Sequence, residues 1–403
     1  MYIYSRSTSL IRISNKIHIA SAAASLLDST SQTSIPSITP SRTHSITHAH
    51  SARRGYISRT FAYKEKEVFD SSLKLLHKDN AARLRLKGGG EEEEEEEEVD
   101  YTYFNREITN RLVDRLEDVK ERDFTICLDL GTPDNALLAS INREESLSGN
   151  GGGIGGVRKI VQLQGSAVMA SLHEDEGVSG KSSLDEGVGK GPAEAFRVPD
   201  STEFSLPLPF PSDTFDCVIS SMALHWVSDL QGTLREINRV LKPDGAVFLA
   251  VPGGETLPEL RSSLLMAEQE RDGGVSVRTG PYVSVPDVGR LLQSSGFNLP
   301  TIDVDEVLVE YPSMFVLTEH LGRMGESNGS TQRRTEGNSV NKWLAAAAVY
   351  GETFKGEGGE GVTASVQVIY GIGWKKHDSQ QKPDERGKAG VGKIGEDVRV
   401  EQG

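Results

Sequence analysis

The sequence predicts an α/β fold on a mostly parallel sheet, and three observations carry that expectation. Short apolar runs recur as strand candidates at Phe124–Leu130, Lys159–Leu163, Asp216–Ser221 and Ala246–Val251. Segments with helical spacing lie among them, at Asn105–Lys120, Asp229–Leu241 and Pro258–Gln269. The strand candidates are continuously apolar rather than alternating, as strands covered on both faces are. Strands alternating with helices imply a parallel sheet with right-handed crossovers.

Each element has its own warrant. Asn105–Lys120 places Ile108, Leu112, Leu116 and Val119 on one helical face with charges between them. Phe124–Leu130, FTICLDL, is too short and too apolar for anything but a buried strand. The helix Asp229–Leu241 is stopped by Pro243 and Gly245. Pro258–Gln269 carries Leu260, Leu264, Leu265 and Ala267. Thr301–Tyr311 and Ser365–Trp374 read as two more strands, placed as a hairpin at the sheet edge. Met314–Gly325 and Trp343–Tyr350 read as helices, the former placed to cover a substrate mouth.

Composition bounds the function. The 403 residues are 36 % hydrophobic and include 42 glycines, so part of the chain lies outside any packed core. The net charge of −15 argues against a bulk nucleic-acid binder, which needs a basic face to neutralise phosphates. Residues 1–60 carry seven basic residues and one acid, with 14 Ser and seven Thr, which is the composition of a mitochondrial transit peptide. The body from residue 61 onward is therefore the acidic part, at −21. The sequence divides into that leader, an N-terminal helix and acidic linker over 61–104, a catalytic-type domain over 105–375, and a disordered tail over 376–403. Glu91–Glu98 is a solvated spacer of like charges. Asn142–Gly156 and His173–Pro192 read as loose inserts. No 18-residue apolar run occurs, so any contact with the mitochondrial inner membrane would be peripheral. Cys127 and Cys217 fall on strands expected to be neighbours, and read as buried inert thiols in a reducing matrix rather than as a redox pair.

The first site candidate is Asp129-Leu130-Gly131, at the end of the first strand. Ligands bind beyond the carboxyl ends of strands in open parallel sheets, and a glycine there lets backbone approach them. Downstream, a conspicuous SLPLPF loop leads into TFDCVISS, His225-Trp226, a helix and LKPDG. The string FDCVISSMALHWVSDLQGTLREINRVLKPDGAVFLAVPGG resembles the fourth and fifth strands of class I S-adenosylmethionine-dependent methyltransferases of type 11. GGETLPELRSSLLMAEQERDGG, GRLLQSSGFNLPTIDVDEVLVEYPSMF, MGESN and QVIYGIGWK are similar to the mitochondrial complex I assembly factor 5 family, described as a protein-arginine hydroxylase with a methyltransferase fold. VFDSSLKLLHKDNAARL resembles the start of its mature chain, and the similarity spans most of residues 68–386. A more distant likeness is to malonyl-carrier-protein methyltransferases.

The resemblance implies a class I methyltransferase (Rossmann-like) fold with seven strands, and S-adenosylmethionine as cofactor. It places Asp129, Gly131, Gln164, Asp200, Ser220 and Leu224 around that cofactor. Two departures stand out. The first loop reads Asp129-Leu130-Gly131-Thr132-Pro133-Asp134-Asn135, with one glycine and a proline that lacks an N–H. Gln164 stands where the family has an acid for the ribose hydroxyls, and accepts a hydrogen bond without charge assistance. Asp200 matches the acid that faces the adenine amino group. His225 and Trp226 sit on the substrate side, His225 to position or deprotonate a substrate. They read equally as a strand-end cap and a packing residue. No residues at metal-site spacing occur, and Glu326 and Asn328 read as a helix cap and turn. Three functions follow: an enzyme modifying a respiratory complex I subunit, by arginine hydroxylation or methyl transfer; a non-catalytic assembly chaperone; or a methyltransferase for a small molecule or malonyl carrier protein.

Overall fold

The computed structural model describes residues 6–12, 67–87, 100–119, 122–143, 153–166, 168, 194–199, 206–334 and 339–380. The chain divides into a unit formed by Met1–Arg12 with Val68–Gly403 and a unit Ile13–Glu67. Apart from Glu67 the described residues belong to the first unit, so the leader expectation falls outside them except at 6–12.

Eight strands form one sheet: β1 (Arg6–Arg12), β2 (Ile126–Leu130), β3 (Lys159–Gln164), β4 (Glu194–Pro199), β5 (Phe215–Ser221), β6 (Leu241–Pro252), β7 (Phe297–Tyr311) and β8 (Val362–Lys375). Their order is β1-β7-β8-β6-β5-β2-β3-β4. β4, β3, β2, β5 and β6 run parallel, while β8 is antiparallel to both β6 and β7. The mostly parallel sheet agrees with the expectation, which was for seven strands. The count is corrected to eight by β1, which pairs parallel to β7 and so moves the β7–β8 hairpin one strand in from the edge.

The helices are α1 (Ser71–Lys87), α2 (Tyr103–Glu117), α3 (Ala136–Ile141), α4 (Leu230–Val240), α5 (Pro258–Asp272), α6 (Val285–Ser294), α7 (Met314–Arg323) and α8 (Val340–Thr353). α2 buries Ile108, Leu112 and Leu116 as its spacing requires. α4 starts where Asp229 accepts the Gly232 N–H at 2.7 Å, and turns Leu234, Ile237 and Val240 to the sheet. The core joins these to Leu128, Val161, Phe215, Val218, Val247 and Leu249. Burying each such side chain stabilises the fold by about 1.5–3 kcal/mol. α3 and α6 were not read from the sequence. α6 carries Val285, Val288, Leu291 and Leu292 at helical spacing and buries Val288, Gly289 and Leu292.

One insert differs from expectation at its end. Gly153–Gly156 is packed: a Cβ on Gly153 would lie 2.4 Å from Ile141 Cγ2. Cys127 and Cys217 are direct register partners on β2 and β5, free and fully buried. Burial, with Cys217 alongside, pushes the Cys127 thiol up.

The order of strands reverses between β2 and β5, since the chain leaves β2 toward β3 on one side and returns to β5 on the other. Such a switch point opens a crevice at the carboxyl ends of the strands.

Candidate functional site

Two clusters occupy this end of the sheet. The first surrounds the loop after β2. Asp129 is fully buried; its Oδ1 accepts the Thr132 N–H at 3.2 Å and its Oδ2 the Gln162 amide at 3.3 Å. Gly131 has φ of +75°, which glycine adopts without strain, and its N–H extends the ladder to Leu163 O at 3.0 Å. Thr132 is the hub of the loop: its Oγ1 accepts the Ser221 N–H at 3.2 Å, and its carbonyl accepts the Gln164 amide. Ser220 donates its hydroxyl to Leu130 O at 2.7 Å. Side chains thus brace a loop that has lost its glycines.

The Gln164 bond decides which amide atom is left for a ligand. Its nitrogen is spent on Thr132, so Oε1 is the atom without a partner among the described residues. A ribose hydroxyl needs an acceptor, so the residues present fit adenosylmethionine, with a neutral acceptor in place of an anionic one. Leu224 is 1 % exposed and belongs to the hydrophobic core. Asp200 follows β4 directly and lies outside the described residues.

The second cluster lies beyond β5 and β6. A short 3-10 turn, Leu224–Trp226, carries His225 and Trp226. His225 Nε2 lies 2.9 Å and Trp226 Nε1 2.8 Å from the same atom, Glu326 Oε2. Glu326 arrives there through the end of α7. Gly325, at φ +82°, closes that helix, with the Glu326 N–H bonded to Leu321 O at 2.8 Å and the Gly325 N–H to Gly322 O at 3.1 Å. This is a Schellman closure, and it reverses the chain so that Glu326 faces β5. Lys74 of α1, 1 % exposed, donates to Gly325 O at 2.7 Å and Ser327 O at 3.2 Å, with its ammonium 3.5 Å from the Trp226 ring centroid. Phe69 meets Trp226 edge to face, with ring centroids 5.2 Å apart.

Burial alone would raise the Glu326 pKa. The charges of His225 and Lys74 and the two hydrogen bonds outweigh it and hold the carboxyl at about 2, so Glu326 is an anion at neutral pH. It lines a cavity of about 440 Å³ with Met222, Pro252, Tyr282, Asn328 and Trp343. That volume lies in the range of small-ligand pockets.

The structure thus brings His225 and Trp226 together with Glu326 and Lys74, and groups Asp129, Gly131, Gln164 and Ser220 separately at the β2–β3 ends. The readings of His225 as a mere strand cap and of Glu326 as a mere helix cap both miss their shared bond. Glu326 was missed as a site residue because its partners are about 100 residues away; the available signal was the Met-Gly-Glu turn after a helix. Among the described residues no group of three or more His, Cys, Asp or Glu is placed to hold a metal ion, and no helix is long and apolar enough to cross a membrane.

Comparison with known proteins gives the following. A family described as a methyltransferase domain matches residues 182–249. The chain is 39 % identical over 326 residues to the Rattus norvegicus protein named arginine-hydroxylase NDUFAF5, mitochondrial, covering 80 % of this chain and 82 % of that one. The Danio rerio protein of the same name is 38 % identical over 334 residues, covering 83 % and 91 %. Among solved structures, the YcgJ protein from Bacillus subtilis aligns at a TM-score of 0.41 and 15 % identity, covering 66 % of this chain and 99 % of that one.

Proposed function

Because the chain belongs to the mitochondrial arginine-hydroxylase NDUFAF5 family, we propose that it hydroxylates an arginine side chain of a respiratory complex I subunit during assembly, in the mitochondrial matrix, with dioxygen supplying one oxygen atom and a two-electron cellular reductant carrying the other away as water. The observation that carries this reading is the cavity beyond β5 and β6, whose wall holds the ionised Glu326. An anion in a partly apolar pocket suits a cationic side chain. The acidic body, at −21, suits approach to a basic peptide.

Adenosylmethionine would be held by Asp129, Gly131, Gln164, Asp200 and Ser220, with Leu224 in the core behind them, and would supply an electrophilic methyl group, which serves methyl transfer and not hydroxylation. His225 and Trp226 act on the substrate side. His225 fixes the Glu326 carboxylate through Nε2, and Trp226 fixes the same oxygen while walling the cavity from water. α7 and the turn after it supply the roof, with Leu321, Met324 and Asn328 in the lining. Any membrane contact would be peripheral.

A second reading, assembly without catalysis, is motivated by the neutral Gln164 but is not the favoured one. A carrier-protein target is disfavoured by the basic groups it would use: Arg239 is bonded to Glu236 at 2.8 Å and Lys242 to Asp216 at 2.7 Å.

The test is to express the chain in cells lacking their own family member and weigh the arginine-containing peptides of complex I. One oxygen gained on an arginine supports hydroxylation. One methylene gained turns the assignment to methyl transfer. Assembly restored with no mass change supports the chaperone reading. Calorimetric titration with adenosylmethionine, repeated on Asp129→Ala, checks the cofactor separately.

A further inference from the structure

We propose that Glu326 is the anchor for the guanidinium, its free Oε1 accepting the substrate's N–H groups while His225 and Trp226 hold Oε2. The proposal rests on the reading of an arginine target and assigns the atom that receives it.

The first argument is geometric. Both protein donors use Oε2, and Oε1 has no partner among the described residues. The side chain keeps 18 % of its exposure, on the wall of the 440 Å³ cavity. A carboxylate pinned by one oxygen, with the other presented to a cavity, is pre-organised for a cationic donor. It loses little further freedom on binding.

The second argument is electrostatic. Glu326 is the sole acidic residue among those lining the cavity. Three arginines also line it, and each is paired with an acid outside the lining: Arg278 with Glu268, Arg333 with Asp70 at 3.3 Å, and Arg334 with Asp272 at 3.1 Å, Glu268 and Asp272 being shared with Lys342. A guanidinium entering the cavity therefore meets one carboxylate with an open oxygen. Tyr282 adds aromatic surface on which a planar cation can lie, one face of Trp226 being held by Lys74.

The third argument is that the charge exceeds what the turn needs. The Schellman hydrogen bonds and the two Lys74 bonds already secure residues 324–327. A neutral glutamine carbonyl would serve both His225 and Trp226 as acceptor. The negative charge answers the buried Lys74 ammonium and His225, and its second oxygen is left to face the cavity.

The test uses the full chain and two probes, N-acetyl-arginine N-methylamide and its citrulline counterpart, which replaces the guanidinium by a neutral urea of the same shape. Wild type is expected to prefer the arginine probe, and Glu326→Gln to bind it about 10- to 100-fold more weakly with citrulline affinity unchanged. A change in preference between two probes cannot come from misfolding. Glu326→Asp, which restores the charge, should restore the preference, and Glu319→Gln, an acid removed outside the cavity lining, should retain it. Equal arginine affinity in wild type and Glu326→Gln overturns the proposal, as does a wild type with no preference for the guanidinium. Arginine oxidation retained in cells by Glu326→Gln at the wild-type rate also overturns the anchor while leaving the hydroxylase reading intact. Glu326-dependent binding without any arginine oxidation by wild type supports the anchor and overturns that reading.

Discussion

Replacing Gln164 by glutamate restores the acid expected of the family, and the structure predicts that it destabilises the protein without ligand. Gln164 is 7 % exposed, and its amide nitrogen donates to the Thr132 carbonyl. Glutamate at neutral pH would set a carboxylate oxygen against that carbonyl. The lost hydrogen bond is worth about 1 kcal/mol, and leaving two buried acceptors facing each other adds about 1–3 kcal/mol. The expected loss is thus about 2–4 kcal/mol at pH 7. The pH dependence fixes the cause. Burial and the facing carbonyl favour the protonated acid, so the new group's folded pKa lies above its unfolded value of about 4.3. Its destabilising effect is present above the folded pKa and disappears as pH falls below it, where the acid's O–H can donate to Thr132. Urea unfolding of Gln164→Glu and wild type at pH 7 and pH 5 reads both effects, and the gap should narrow at the lower pH. A variant within about 0.5 kcal/mol of wild type at pH 7, or a deficit that persists unchanged into acid, would refute the brace assigned to Gln164.

Three further outcomes follow from the same structure. The Glu326 carboxyl is depressed, so its stabilisation is complete above the unfolded pKa of about 4.3 and is lost as pH falls toward 2. About 1.5 kcal/mol should disappear from wild type between pH 5 and pH 3 and far less from Glu326→Gln, read by urea midpoints at those two values, with the full loss of about 3 kcal/mol reached only below pH 2; equal losses would contradict the shift. Gly361→Ala, at φ +68° with its Cβ 2.5 Å from Tyr311 O, should cost about 2–4 kcal/mol, whereas Gly273→Ala, at φ +64° in open space, should cost about 1 kcal/mol; thermal unfolding of the pair checks the difference. Burial, and for Cys127 a raised thiol pKa, should keep Cys127 and Cys217 unreactive toward a thiol reagent until denaturant is added, and stoichiometric labelling of the native chain would count against their packing.

The legible parts of the fold were those where a local pattern has one physical reading. FTICLDL and DCVISS are short and mostly apolar runs that read as buried strands, and they became the register neighbours β2 and β5. Asp229 ahead of an amphipathic run became a helix cap, bonded to Gly232. α6 was equally legible in Val285, Val288, Leu291 and Leu292, but it is only ten residues long. β1 was not legible at all, since an edge strand takes its register from a partner about 300 residues away.

The sequence by itself determined the strand and helix alternation, the acidic body, and the family motifs that place Asp129, Gly131, His225 and Trp226 at the carboxyl ends of strands. It also marked Gln164 as anomalous. Only the tertiary structure decided what Gln164 does, because the Thr132 carbonyl it braces belongs to another loop. It alone made Glu326 a site residue, since α7, the turn closed by Gly325 and the buried Lys74 of α1 must all be in place before a carboxylate meets His225 and Trp226. Periodicity and spacing report how each segment meets solvent. Charges that meet across 100 or 250 residues of chain are set by packing, and packing is not a local property of the sequence.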